Sequence, residues 1–264
     1  MEGVRVEDKY IACPLADLWD RPEEPRQRVT QGWLGSPVEV LESQEGWKKV
    51  RLPEQGDYEG WIKAEDLETK SGSSVEGPQA IVALPKAVFE KGWLPLGAVF
   101  PMVDSWEEGG ALLLPSGEVA WFPFGDMREW PHKRSLENDR HMGEEVLQTA
   151  AQFLGTPYLW GGMSCHGIDC SALVFMTYRL QGIELPRDAQ DQWEALEPVE
   201  EEKDLKPGDL IFFSSNQTSA DHVGLVGQGG QFIHAASSLG SVQWSNWNEP
   251  RWKDILLGFR RVKV

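Results

Sequence analysis

The N-terminal half of the chain sets short apolar runs between Gly, Pro and Asp. Val38 and Val40, then Trp47, Val50 and Leu52, recur at strand-like spacing between turn residues, which predicts short strands with one buried face. Two stretches of this kind echo each other: GSPVEVLESQEGWKKVRLPEQGDYEGWIKAEDL from Gly35 and GAVFPMVDSWEEGGALLLPSGEVAWFPFGDM from Gly97. Gly35 aligns with Gly97, Val38 with Phe100 and Leu52-Pro53 with Leu114-Pro115; after a two-residue gap, Trp61 aligns with Trp121 and Asp66 with Asp126. Self-similarity of this sort predicts two copies of one unit, each a small β-barrel, residues 1–70 and a more divergent 78–128. Thr69 to Gln79, TKSGSSVEGPQ, reads as a flexible linker between them.

The pattern changes after Asp126. DMREWPHKRSLENDR, Asp126 to Arg140, reads as a charged connector. Beyond it the apolar residues Met142, Val146, Leu147, Ala150, Phe153 and Leu154 stand at helical spacing up to Gly155. CSALVFMTYRLQG predicts a second helix, with Leu173, Met176 and Leu180 on one stripe and Gly182 just past its end. Strands are then predicted at DLIFF, HVGLVG, QFIHAA and GFRRV. Helices first and strands after predict an α+β domain with an antiparallel sheet over residues 140–264.

Composition narrows the function. A chain of 264 residues, 41% hydrophobic, holds two or three domains, since domains cluster at roughly 100–150 residues. A net charge of −17 argues against nucleic-acid or anionic-membrane partners. The N-terminus lacks a basic segment followed by an apolar one, and no apolar run is long enough to span a membrane, so a soluble protein is expected. Three cysteines, Cys13, Cys165 and Cys170, are not a disulfide framework and fit a reducing compartment such as the cytoplasm. The 13 tryptophans are read as core and inter-domain packing.

Cys170, in HGIDCSALVF, falls in the first turn of the second predicted helix, where unpaired N–H groups and the helix dipole favour a thiolate. A base is still required. His132 and His141 lie in or beside the connector, and His166 sits in a Gly-containing loop. His222 and His234 occupy two apolar strands joined by a Gly-Gly turn. If the turn is odd in length, such as Gln228 to Gly230, the two imidazoles share a face within about 8 Å; a strict Gly229-Gly230 turn sends them to opposite faces. On one face they form, with Cys170, a nucleophile, base and orienter set. Cys165-x4-Cys170 is not a usual zinc spacing, and no metal or other cofactor is expected.

Taken in order, PYLWGGMSCHGIDCSALV, LPRDAQDQ, LKPGDLIFF, DHVGLVG and FIHAA resemble the NlpC family of cell-wall cysteine peptidases, from about Glu144 to Val264. The closing YEGWI of the first N-terminal copy, and more weakly VAWFP of the second, resemble bacterial SH3-like domains. The resemblance implies a papain-like fold with Cys170, His222 and His234 as the triad and Tyr158 contributing to the oxyanion site beside the Cys170 N–H. It also implies that Asp169 and Ser171 shape a pocket for a γ-D-glutamyl residue. Ala172 replaces the family's usual glycine.

Members with SH3-like domains look like γ-D-glutamyl-L-diamino acid endopeptidases. One subgroup, similar to dipeptidyl peptidase VI, requires a free N-terminal L-alanine. Asp188 stands where an acid would pair with that ammonium; Arg187 is a candidate for a substrate carboxylate or a surface ion pair. Ala189 stands where the subgroup commonly has serine. By similarity the first SH3-like unit lends a tyrosine, for which Tyr58 is the candidate, and an acid among Glu23, Glu24 and Glu59. The expected substrate is a small murein peptide, L-Ala-γ-D-Glu-diaminopimelate, cleaved in cytoplasmic recycling. Three competing readings are an exported hydrolase anchored by its SH3-like domains, a non-catalytic wall-peptide binder, and an acyl transferase or amidase on the same fold.

Overall fold

The computed structural model describes residues 9–69, 77–130 and 141–263, and its contacts divide the chain into two units, residues 1–132 and 133–264. Linker residues 70–76 and connector residues 131–140, His132 among them, lie outside the described residues.

Within the first unit the sequence repeat reappears as a repeat of hydrogen bonds. Strands Pro37–Gln44 and Val99–Trp106 each carry a bulge, at Val40/Glu42 and at Met102/Asp104. Gly35 and Gly97 both turn with positive φ, 83° and 93°. Ala12 N–H donates to the Asp66 carbonyl at 2.8 Å, and Ala83 N–H to the Asp126 carbonyl at 2.8 Å. One copy builds a seven-stranded antiparallel sheet around Ile11, Leu18, Val50 and Ile62; the other builds a five-stranded sheet between Gln79 and Trp130. The copies part at their last aligned tryptophans. Trp61 is buried where its strand meets Trp19, whereas the hairpin Lys86–Phe89/Gly92–Pro95 forms a separate sheet and Trp121 is exposed. Packing therefore does not account for all the tryptophans. The connector reading also needs correction at its start: Met127–Trp130 is a strand paired with Gln79–Val82, anchored by buried Met127.

In the second unit the helix Met142–Ala151 precedes the helix Cys170–Arg179. The latter shows no simple stripe, because all ten of its residues are buried. It is packed between the first helix, the short helix Ala189–Ala195 and the sheet, so every side faces protein. Gly182, at φ 78°, ends it: Gly182 N–H bonds the Arg179 carbonyl at 2.8 Å and Ile183 N–H the Tyr178 carbonyl at 3.1 Å.

The sheet has six strands, all pairs antiparallel, in the order Glu197–Val199, Leu256–Arg261, Leu210–Phe213, His222–Val226, Gln231–Ala236, Ser241–Asn246. Ile211, Phe213, Phe232, Trp252 and Phe259 form one apolar cluster against it. Each large side chain so buried contributes roughly 1.5–3 kcal/mol. LKPGDL fastens the helices to this sheet. Tyr178 donates its hydroxyl to the Gly208 carbonyl at 2.6 Å, and a Cβ on Gly143 would collide with the Pro207 carbonyl oxygen.

Candidate active site

Asp169 precedes the nucleophile helix in extended conformation, and its carboxylate accepts the Ala172 N–H at 2.8 Å, capping the first turn. The same carboxylate accepts Gly161 N–H at 3.0 Å, the Ser171 hydroxyl at 3.2 Å, and both terminal nitrogens of Arg187 at 3.1 and 2.7 Å. Arg187 Nη1 also donates to Ser171 Oγ at 2.9 Å. Arg187 was expected either on the surface or reaching a substrate carboxylate. Its side chain is 1% exposed and grips Asp169 under the helix, so it holds the cap rather than presenting charge to solvent. Gln192 completes the support from LPRDAQDQ, its amide bonding the Ser171 and Pro186 carbonyls at 3.1 and 2.9 Å.

The two strand histidines share a face. Leu225 pairs with Ile233 and Val226 with Phe232, so the connection is the odd one, Gln228 to Gly230, closed by Gly227 N–H to the Gln231 carbonyl at 2.7 Å. His222 Nε2 meets His234 Nδ1 at 2.6 Å. Gly224 makes this possible: a Cβ there would lie 2.7 Å from the Phe232 ring and 3.1 Å from His234 Cβ. Trp252 stacks on His222, ring centres 5.6 Å apart and planes 18° from parallel, and stands edge-on to His234 at 4.8 Å. On its far side His234 Nε2 meets Ser245 Oγ at 3.0 Å.

Cys170 is buried in the first turn, where its own N–H has no intrahelical partner. The helix start was expected to lower its pKa. Instead burial, followed by the adjacent Asp169 charge, pushes the thiol up to about 12, although the N–H groups of Val223 and Ser171 pull it back. Val223 follows His222 directly, which places the thiol against the histidine strand. Burial takes His222 down to about 4, and burial with its neighbour His222 takes His234 down to about 2. The unliganded site is a neutral thiol beside neutral imidazoles. With Nε2 of His222 on His234, Nδ1 is the ring nitrogen left for a proton from a neighbouring group such as the thiol.

Tyr158 is half-buried and tied to this segment by a bridge to Ile168, with its N–H on the Gly240 carbonyl at 2.9 Å. Burial, with Cys170 and the Asp169 carboxylate beside it, raises its phenol, so it remains a donor. Asp188 is half-buried at the start of the helix Ala189–Ala195 without capping it. Tyr58, in the first unit, opens the strand Tyr58–Lys63 opposite Leu52. Among the acids named with it, Glu59 is held by Lys49 and Arg51 at 3.0 and 2.8 Å and Glu24 by Arg26 at 3.1 Å. His141 is exposed, 3.6 Å from Glu144, and His166 is exposed in a short hairpin turn.

Three site residues escape sequence reasoning. Ser245 lies on the polar strand SVQWSN, whose weak alternation gives little strand signal, and Trp252 lies on the four-residue helix Pro250–Lys253. Gly224 was legible only as a glycine inside an apolar strand, a sign of close approach at that position.

The NlpC/P60 family matches residues 155–261, and the bacterial dipeptidyl-peptidase SH3 domain matches residues 18–67. A γ-D-glutamyl-L-lysine dipeptidyl-peptidase of Bacillus subtilis is 28% identical over 88% of this chain and 80% of its own length. One of the same description from Bacillus cereus is 29% identical over 88% of this chain and 74% of its own. The crystal structure of an NlpC/P60 family protein from Bacillus cereus shares the fold, with a TM-score of 0.83, 24% identity and coverage of 96% of this chain and 99% of that one. Residues 155–261 therefore form an NlpC/P60 domain, the domain of a cysteine peptidase, and residues 18–67 form an SH3 domain of the bacterial dipeptidyl-peptidase type.

Proposed function

We propose that the chain hydrolyses the bond between γ-D-glutamate and the diamino acid, diaminopimelate, of small murein peptides with a free N-terminal L-alanine. The observation that carries the reaction is the 2.6 Å contact of His222 with His234 on the strand that faces the Cys170 thiol. Cys170 Sγ attacks the γ-carbonyl carbon while its proton passes to His222 Nδ1. The oxyanion is received by the Cys170 N–H and the Tyr158 hydroxyl. Collapse breaks the C–N bond, His222 returns the proton to the departing amine, and a thioester is left. Water, deprotonated by His222, then releases L-Ala-γ-D-Glu and restores the thiol.

Asp188 supports the choice of substrate. It directly follows Arg187, which is locked to the Asp169 cap, so its backbone is anchored one residue from the group that supports the Cys170 helix. In this reading it pairs with the alanine ammonium, while Asp169 and Ser171, oriented by Arg187, form the wall beside the γ-glutamyl group. The names of the Bacillus relatives point to the same bond with lysine as the diamino acid. Three cysteines, an odd number, and the net charge of −17 favour soluble peptides in the cytoplasm, as in murein-peptide recycling. Its test is incubation with L-Ala-γ-D-Glu-diaminopimelate and, separately, with intact sacculi. Cleavage of the tripeptide, lost in Cys170→Ala, is expected; cleavage of sacculi with the tripeptide left whole overturns it.

A further inference from the structure

We infer that Ser245 is a positioning residue for catalysis, its hydroxyl oxygen accepting from His234 Nε2–H and so fixing the tautomer that leaves His222 able to take the thiol proton. The inference rests on Cys170, His222 and His234 being the triad, and is independent of which peptide they cleave.

Each neutral imidazole carries one N–H, so the row His222 Nε2···His234 Nδ1···His234 Nε2···Ser245 Oγ, with contacts of 2.6 and 3.0 Å, can be protonated in only two consistent ways. In one, Ser245 donates to His234 Nε2, His234 donates from Nδ1, and His222 carries its hydrogen on Nδ1. That nitrogen then faces Cys170 as a donor and cannot accept a proton. In the other, His222 Nε2–H donates to His234 Nδ1 and His234 Nε2–H donates to Ser245. Only this direction leaves His222 Nδ1 as a base.

The surroundings give Ser245 this task. His234 is fully buried, and among the described residues its hydrogen-bond partners are His222 and Ser245 alone. Its other neighbours are rings, Phe232 at 4.3 Å and Trp252 at 4.8 Å, which accept nothing. Ser245 sits opposite Phe232, two positions along from the His234–Gln243 pair and so on the same face of the sheet, and is half-exposed, so its own hydrogen can turn to water while its oxygen accepts.

Ser245→Thr and Ser245→Val are nearly the same shape and differ in the hydroxyl, so any cost of bulk is common to both. Val is expected to lower kcat at least about 10-fold relative to Thr, with KM changed less than about 3-fold, as suits a weakened base. Nitrogen-15 NMR of the histidines, in a Cys170→Ala background without substrate, is expected to show His234 protonated on Nε2 in Thr and partly on Nδ1 in Val. Equal kcat in the two variants, or an unchanged tautomer in Val, overturns the inference. If Cys170→Ala still hydrolyses, the triad itself fails; if only Ser245→Val keeps full activity, the triad stands and the Ser245 role falls.

Discussion

Arg187 grips Asp169 with both terminal guanidinium nitrogens, at 2.7 and 3.1 Å, inside the protein. Cap, nucleophile helix and the LPRDAQDQ segment are thereby one polar assembly, with Ser171 and Gln192 filling the remaining positions. A lysine offers one point charge where the carboxylate meets a fork.

Removing one partner of such a pair leaves a buried charge alone. Arg187→Ala is expected to destabilise the chain by roughly 3–5 kcal/mol, against less than about 1 kcal/mol for a surface pair. Urea unfolding of the variant measures the difference. A loss within the surface range would mean that the pair does not hold the cap.

The pH profile has two limbs of different origin. Burial lowers His222 to about 4, so kcat/KM should persist below the ordinary histidine range and fall only near pH 4, where the base becomes protonated. The upper limb is expected near pH 8, where the substrate α-ammonium loses its proton and its attraction to Asp188. Stability runs with the same sign. His222 and His234 bind protons less readily folded than unfolded, so the melting temperature should drop as pH falls from about 6.5 toward 4. An acid limb near 6.5 in kcat/KM would contradict the buried base.

Gly224→Ala tests the packing between the histidines. The added methyl group would press on the Phe232 ring and His234 Cβ, at 2.7 and 3.1 Å. Overpacking of this kind costs about 1–3 kcal/mol. Activity should fall at least about 10-fold, because a small displacement breaks the imidazole alignment. Kinetics together with thermal melting check both effects; full activity at lowered stability would show that the alignment tolerates the shift.

Trp252 covers one face of the His222 ring and meets His234 edge-on. Trp252→Leu should destabilise the domain and move the acid limb upward toward 6.5 as His222 is rehydrated. Trp252→Phe, which keeps an apolar ring, should move it less. The limb position in kcat/KM profiles of the two variants is the readout.

Much of this was readable in the chain itself. The barrel repeat followed from Gly35 and Gly97, and the α+β order from the change of period after Met142. Cys170 and both histidines stood out because their residue types are rare within apolar elements. Register did not follow, since the parity of the Gln228–Gly230 turn decides the face and the sequence allows both parities. Nor did the acidity of Cys170 follow: a first-turn position favours the thiolate, but complete burial beside Asp169 outweighs it. Arg187 looked like a surface charge because nothing local shows that Asp169, 18 positions earlier, lies beneath it. Ser245 and Trp252 act through tertiary contact from elements with little periodicity.

In the proposed reaction the choice of substrate turns on recognition of the free alanine ammonium by Asp188. L-Ala-γ-D-Glu-diaminopimelate with a free and with an acetylated N-terminus is incubated with wild type and with Asp188→Asn, and products are identified by mass spectrometry. The expected result is release of L-Ala-γ-D-Glu from the free peptide alone by the wild type, with Asp188→Asn cutting it much more slowly. Equal cleavage of the free and acetylated peptides by the wild type would contradict recognition of the ammonium.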